Sequence, residues 1–549
     1  MNDKLIKNVF LFYGEKRMQK LRNQISKNNQ KKVFNAVILA AGQGIRMIPI
    51  NNSVPKALLE VNEEILIERI IEQLFEANIH DITIVVGFMG DQFHYLIDKY
   101  GVKLVSNAEY KEKNNLHSLN LVRNLINNTY IISGSVYFYE NPFACSETKS
   151  WYMFENRLSK HSNMICNDKN EVIKTNRHGL KTVGVAYINS QDAVLVKKQL
   201  KLLDNNEHDS DDWEEALFVN NKMIIEGKIV DTSCVDEINT YEELRNIDDH
   251  SSHLNNDTLS LIADVFNEEV KNITHIKSLK KGMTNRSFLF EINKEKYIMR
   301  IPGEGTSQLI NRTEEYEVYQ KIKNLNISDE VIYMNPENGY KITKYLKDTR
   351  VCNQDNDKDL IKCMNLLKKF HDQNLKVKHQ FDIFEKIEFY ENLRGPESLY
   401  KDYSKTKEKI ITLKKLIDQF PKEWKLCHID ANCDNFLFYK DNNEEKLKLI
   451  DWEYAAMQDP HLDIAMFCIY SMYDRKQVDH LIDIYFKHEC DKQIRIKIYC
   501  YIAICGLLWS NWCEYKHTLG VEFGEYALAQ YAFAKDYYDI VVEEMGELQ

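Results

Sequence analysis

CHIDANCDNFLF (Cys427–Phe438), followed by LKLIDWEYAAMQDPHLDIA (Leu447–Ala465), decides the reading of the second half of this 549-residue chain. The spacing HxDxxxxN sets Asp430 and Asn435 on one tight loop. An aspartate so placed accepts the proton of a substrate hydroxyl, and an asparagine oxygen binds a magnesium ion. Asp451 ends the apolar run LKLI, where a strand-end carboxylate takes the second metal–phosphate position. Phosphoryl transfer asks mostly for alignment and charge neutralisation, and these groups supply both. Taken singly, Asp430 reads as a helix cap and Asp451 as a turn residue; together and in this order they favour transfer chemistry.

Working outward, KKGMTNRSFLFEI and KYIMRIPG lie upstream. Gly282 falls in a turn between two strand-like runs, where backbone N–H groups can approach ATP phosphates, and Arg300 leaves the second strand as a cation for them. Long helical patterns follow to the C-terminus. The polar stretch NIDDHSSHLNND (Asn246–Asp257) cannot build a core, so a domain boundary is expected there.

With these motifs, residues 258–549 resemble the choline kinase/aminoglycoside phosphotransferase family. GMTNRSFLFEI and YIMRIPGEGTSQLINRTEEYE look like bacterial choline kinases, in which arginine stands for the protein-kinase lysine. The resemblance implies a two-lobed protein-kinase-like domain with Asp430 as catalytic base and Asn435 and Asp451 as Mg²⁺ ligands. It also implies that Arg300 pairs with Glu315, with Glu314 as the other choice. Choline has a quaternary ammonium without a donor, so aromatic faces must recognise it. Trp452, Trp509, Trp512 and Tyr515 are the candidates, helix packing being the alternative for each. Ethanolamine is the nearest competing substrate.

The first half has its own decisive stretch, LAAGQGIRMIPINNSVPKALLEV (Leu39–Val61). A strand, AVILAAG, runs into the small-residue loop Ala40, Ala41, Gly42, Gln43, Gly44, whose bare backbone can contact phosphates. Arg46 and Lys56 are spaced to clamp a triphosphate and an incoming phosphate. Met47 stands where a dinucleotide-binding GxGxxG would need its third glycine. Ile67, Ile70, Ile71, Leu74 and Phe75 recur at helical spacing, and strands are expected at Asp81–Phe88, Val102–Asn107 and Thr129–Gly134. Alternating strands and helices imply a Rossmann-like α/β domain with a mostly parallel sheet covered on both faces.

LAAGxGxRMxPxxxxxPKxLLxV over residues 35–247 resembles the sugar-phosphate and phosphocholine nucleotidyltransferase family, and EKNNLHSLNLV, SWYM and DEINTYEEL look like its CTP:phosphocholine cytidylyltransferases. The resemblance implies that Arg46 and Lys56 are catalytic cations and makes Trp151 and Trp213 candidates for a choline cage, with core packing as the alternative. It also implies Mg²⁺-binding aspartates at two places where this chain has Ser135 and Asn239. The expected outcomes are an impaired transferase, another carboxylate such as Asp211 or Asp212 in service, or a binding module.

The expected organisation is thus a basic extension over 1–34, a nucleotidyltransferase-like domain over 35–247, a linker over 248–257 and a choline kinase-like domain over 258–549. The expected function is bifunctional: ATP-dependent phosphorylation of choline to phosphocholine, then CMP transfer from CTP to give CDP-choline and pyrophosphate. The alternative is a choline or ethanolamine kinase carrying an impaired nucleotidyltransferase-like module.

A net charge of −11 argues against nucleic acid as the main partner. Twelve cysteines without a CxxC pair show no zinc or redox motif. No signal peptide and no run near ~18 uninterrupted apolar residues stands in the sequence, so a cytoplasmic protein without membrane insertion is expected. Oligomeric state has no sequence signature here.

Overall fold

The computed structural model describes residues 30–50, 54–279, 285–303, 309–442 and 444–546. The chain divides into two compact units, the first ending at Ser278 and the second beginning at Leu279. Gly282 and residues 1–29 of the expected extension lie outside the described residues.

In the first unit, Asn35–Ala40 pairs in parallel with Ile82–Val86 on one side and Thr129–Ser133 on the other. Lys103–Ser106 extends this parallel set beyond Ile82–Val86. Period-two alternation sorts the central strand between two cores, with Ala36, Ile38 and Ala40 in one and Val37 and Ala41 in the other. Helix Leu66–Glu76 buries Ile67, Ile70, Ile71 and Leu74 on the first of these cores, as its spacing requires. The parallel sheet with two covered faces is therefore present, and beyond it the sheet becomes mixed. Gly179–Ile188 runs antiparallel to both Thr129–Ser133 and Trp151–Ser159, and Lys222–Val230 lies parallel to Trp151–Ser159.

The polar stretch Asn246–Asp257 is docked rather than extended. Asn62 N donates to Asp248 Oδ2 (2.8 Å), Ser251 Oγ to Glu60 O (3.2 Å) and Tyr241 Oη to Leu254 O (3.1 Å). Asn256 then caps helix Asp257–Phe266. Polar composition ruled out a core but not a hydrogen-bonded surface segment, so the compact division falls later, between Ser278 and Leu279.

The second unit opens on an antiparallel hairpin, Asn285–Ile292 with Glu295–Pro302, continued by Lys341–Lys344 and Val331–Met334. Helix Arg312–Ile322 accompanies these strands. A larger helical part follows, and short strand pairs, Lys425–Cys427 with Ala456–Gln458 and Phe436–Asp441 with Glu444–Leu449, carry the decisive motifs. Lys492–Thr518 is, among the described residues, long and apolar enough to cross a membrane by length and composition, yet its apolar window is wholly buried within the unit. All twelve cysteines are free thiols, most of them buried.

Candidate active sites

In the second unit, the loop carrying Asp430 is held by a carboxylate outside the HxDxxxxN spacing. Asp463, fully buried in helix His461–Tyr470, accepts from His428 N (2.9 Å) and Ile429 N (2.7 Å). Ile429 is thereby kept at φ +70°, a left-handed conformation that costs a β-branched residue about 1–3 kcal/mol. His428 Nε2 donates to Ile450 O (2.9 Å), tying this loop to the strand end before Asp451. Burial holds His428 neutral, its pKa lowered to about 4 despite the nearby Asp463 charge.

Asp430 accepts from Asn432 Nδ2 (2.8 Å) and Asn435 Nδ2 (3.0 Å). Asn435 Nδ2 also donates to Asp430 O (2.8 Å). With its amide hydrogens so committed, the Asn435 oxygen is the atom left to face a cation. Burial first, and the Asp451 charge second, push Asp430 up to about 8. Asp451, at φ +65°, is raised by burial, against Lys341 and Arg300, which lower it. Glu453 is pushed up to about 7 by burial and the Asp451 charge. Like charges buried together in this way define a place that takes a cation, and the anionic and amide oxygens of Asp451 and Asn435 fit magnesium.

The cationic strand forms the pair expected of it. Arg300 makes two bonds to Glu315, Nη1 to Oε1 at 2.6 Å and Nη2 to Oε2 at 2.9 Å. Burial opposes the Glu315 charge, but Arg300, Lys341 and Arg312 outweigh it and hold the carboxyl at about 2. Arg312 Nη1 reaches Glu315 Oε2 (2.9 Å) and Glu453 Oε2 (3.3 Å), and Asn285 Nδ2 donates to Glu453 Oε2 (3.0 Å). Glu453 thus joins the Asn285–Pro302 hairpin to the Asp451 strand end.

The aromatic candidates separate. Trp452 is fully buried, donates Nε1 to Leu449 O (2.8 Å) and packs edge-on against Phe370 and His428. It supports the loop from behind, so its assignment to a choline cage is corrected to core. Trp509 and Trp512 instead sit in a chain of ring contacts running Tyr454–Trp509–Trp512–Phe523–Tyr526–Tyr470. Tyr515 joins it through Tyr390 (6.4 Å). Burial, and then nearby charges including Asp430, hold the phenols of Tyr390, Tyr454, Tyr470 and Tyr526 above the ordinary tyrosine value, which places this aromatic wall beside the base.

In the first unit, the strand ends at Ala40 and the loop passes Ala41 and Gly42 to Gly44, at φ +59°, before the short turn Ile45–Met47. Nothing lies within 4 Å of where a Gly42 Cβ would stand, so the loop backbone is open to a ligand. Arg46 is exposed. Lys56 Nζ donates to Asn239 Oδ1 (2.7 Å), and burial lowers the ammonium to about 8 against the favourable charge of Glu237. Ser135, 1% exposed, pairs its hydroxyl with Ser133 Oγ (3.1 Å). Asp211 is taken by His208 (2.7 Å), and Asp212 accepts from Asn114 Nδ2 (3.0 Å). A divalent ion does not fit the pair Ser135 and Asn239: one offers a hydroxyl engaged elsewhere, the other an oxygen already facing an ammonium.

Trp213, 1% exposed, packs on Tyr152, and Trp151 lies in the core against Tyr130 with Lys228 Nζ 4.1 Å from its ring centroid. Both are corrected from cage to core: Trp213 is wholly buried, and the Trp151 ring already faces the Lys228 ammonium. Two buried carboxylates escaped the motif reading. Glu237 faces Lys56, and Glu214 accepts from Tyr152 Oη (2.7 Å), pushed up to about 8 by burial and the Asp212 charge. Both lie beside other acidic residues, so no sequence signal marks them, whereas Asp463 stands out as a carboxylate within the apolar segment HLDIAMFCIY.

Two units, one with a cation-taking carboxylate site beside a hydroxyl-accepting base and one with a phosphate loop and two cations, define a nucleotide-dependent transferase. Residues 276–500 match the choline/ethanolamine kinase family and residues 36–128 the MobA-like NTP transferase domain. The choline-phosphate cytidylyltransferase of Haemophilus influenzae is 31% identical over 221 residues, 39% of this chain and 90% of that protein. The Streptococcus pneumoniae protein of the same name is 47% identical over 117 residues, 21% of this chain and about half, 51%, of that protein. The crystal structure of choline kinase LicA from Streptococcus pneumoniae is 26% identical, covering 52% of this chain and all of that one, with a TM-score of 0.45. The chain belongs to the cytidylyltransferase family through its first unit and carries a choline/ethanolamine kinase domain in its second.

Proposed function

We propose that the second unit phosphorylates choline with ATP and the first converts the phosphocholine, with CTP, to CDP-choline and pyrophosphate. One observation carries this reading: a hydroxyl-phosphorylating loop beside an aromatic wall shares its chain with a unit of a family that consumes choline phosphate. In the kinase step Asp430 takes the hydroxyl proton, the freed oxygen attacks the γ-phosphorus and ADP leaves. Asn435 Nδ2 holds the Asp430 carboxylate toward its partner, and Asp463 fixes the backbone on which both stand. Asn435 and Asp451 would hold Mg²⁺, which when bound neutralises phosphate charge. Trp509, Trp512 and Tyr515 supply faces for a quaternary ammonium. In the second step Lys56 and Arg46 receive phosphate oxygens while the phosphocholine oxygen displaces pyrophosphate from the α-phosphorus.

Two assays test this with the purified chain: choline plus ATP scored for phosphocholine, and phosphocholine plus CTP scored for pyrophosphate. Both products are expected. Phosphorylation of ethanolamine or an aminoglycoside with choline untouched overturns the substrate, and absence of pyrophosphate overturns the second activity.

A further inference from the structure

We infer that the first unit holds the phosphates of its ligand with its own cations, Lys56 and Arg46, and that no divalent ion is clamped there by protein carboxylates. The inference rests on the reading of this unit as a cytidylyltransferase and concerns how that site manages charge. Nucleotidyl transfer gathers phosphate oxygens in one place, and something positive must oppose them. In the kinase site that role fits an ion held by Asp451 and Asn435. In the first unit the two corresponding positions, Ser135 and Asn239, carry no charge.

Asn239 Oδ1 accepts from the Lys56 ammonium at 2.7 Å, so the spot an ion would take is already next to a positive charge. An ammonium and a divalent cation sharing one amide oxygen repel each other. The Ser135 hydroxyl, buried and paired with Ser133 Oγ at 3.1 Å, carries no charge to offset that repulsion. Nearby carboxylates are committed as well. Glu243 accepts from Asn239 N (2.8 Å) and Thr240 N (3.0 Å), capping the helix that follows. Asp211 accepts from His208 and Asp212 from Asn114 Nδ2 (3.0 Å), while Glu237, raised by burial, faces the opposing charges of Lys56 and Lys181. Magnesium demands near-octahedral, mostly anionic oxygen, and none of these groups offers it freely. Lysine and arginine therefore do here what carboxylate-held magnesium does elsewhere, and any magnesium entering the site comes on the triphosphate of CTP itself. A ligand with only a diphosphate ester, CDP-choline, isolates the protein's own contribution.

The test is calorimetric titration of CDP-choline into the full chain, once with Mg²⁺ and once with EDTA. The expected result is one dissociation constant, equal within about twofold in both buffers, with binding lost in Arg46→Ala. Tightening by about tenfold or more with Mg²⁺ overturns the inference. No binding in either buffer, or binding that survives Arg46→Ala, overturns the cytidylyltransferase reading and this inference with it. Asn239→Asp, alone and with Ser135→Asp, is expected to make affinity depend on Mg²⁺. If folded variants show none, these two positions do not govern the ion and the inference fails.

Discussion

The two sites of this chain solve one problem, crowded phosphate charge, with opposite materials. The kinase site buries negative groups: Asp430, Asp451 and Glu453 are each raised by burial, and the Asp451 charge raises Asp430 and Glu453 further. The nucleotidyltransferase site buries a positive one, Lys56, lowered to about 8 by desolvation. The first arrangement is unfavourable until a cation arrives, and the second until an anion does. Similar nucleotide chemistry does not imply similar metal ligands.

The comparison breaks hardest at the base. Asp430→Ala is expected to lower choline phosphorylation by about 10²–10⁴-fold while leaving CTP-dependent pyrophosphate release intact, both read by product formation. Loss of both activities would mean the two sites do not act as separate chemistries. Next comes the buried cation pair. Glu315→Gln removes both charged bonds to Arg300 and leaves only Glu453, at 3.9 Å, to oppose it; a cost of about 3–5 kcal/mol is expected in denaturant unfolding of the second unit, with a raised KM for ATP.

Asp463→Asn probes the support behind the loop. An amide can accept only one of the two backbone N–H groups now held, and leaving the other buried costs about 1–3 kcal/mol. Because Asp463 acts through Asp430, kcat should fall while KM for choline stays put. A rise in KM alone would assign it to binding instead.

Smallest per pH unit is a slope in the stability of the first unit. The folded pKa of Glu214, about 8, lies above the unfolded value of about 4.3, so its contribution is fully present below that lower value and is lost as pH rises through about 8. Glu214→Gln keeps an acceptor for Tyr152 and removes the titration. The variant should lack a loss of stability on the order of 1 kcal/mol per pH unit that the parent shows between the two values, measured by unfolding across pH. Parallel curves would place the Glu214 pKa in the ordinary range.

Much of this was legible in the sequence because it is local. HxDxxxxN puts Asp430 and Asn435 on one loop whatever surrounds it, and Ile67, Ile70, Ile71 and Leu74 declare a helix face by period. Glu315 was separable from Glu314 only in space, where Glu315 is buried against Arg300. Asp463 and Glu453 act on residues distant along the chain, so no spacing rule reaches them. Trp452 misled for a related reason. Adjacency to Asp451 suggested the active face, but with Asp451 at φ +65° the next side chain lies in the core against Phe370. The polar stretch after Asn246 likewise showed its composition, but not its hydrogen bonds to the Glu60–Asn62 turn.

The most direct test of the central claim is a single reaction followed by ³¹P NMR, with the chain, choline, ATP, CTP and Mg²⁺ together. The account predicts that phosphocholine forms and is consumed, with the diphosphate signals of CDP-choline and free pyrophosphate growing in its place. Phosphocholine that accumulates without CDP-choline, or choline that stays unphosphorylated, would contradict it.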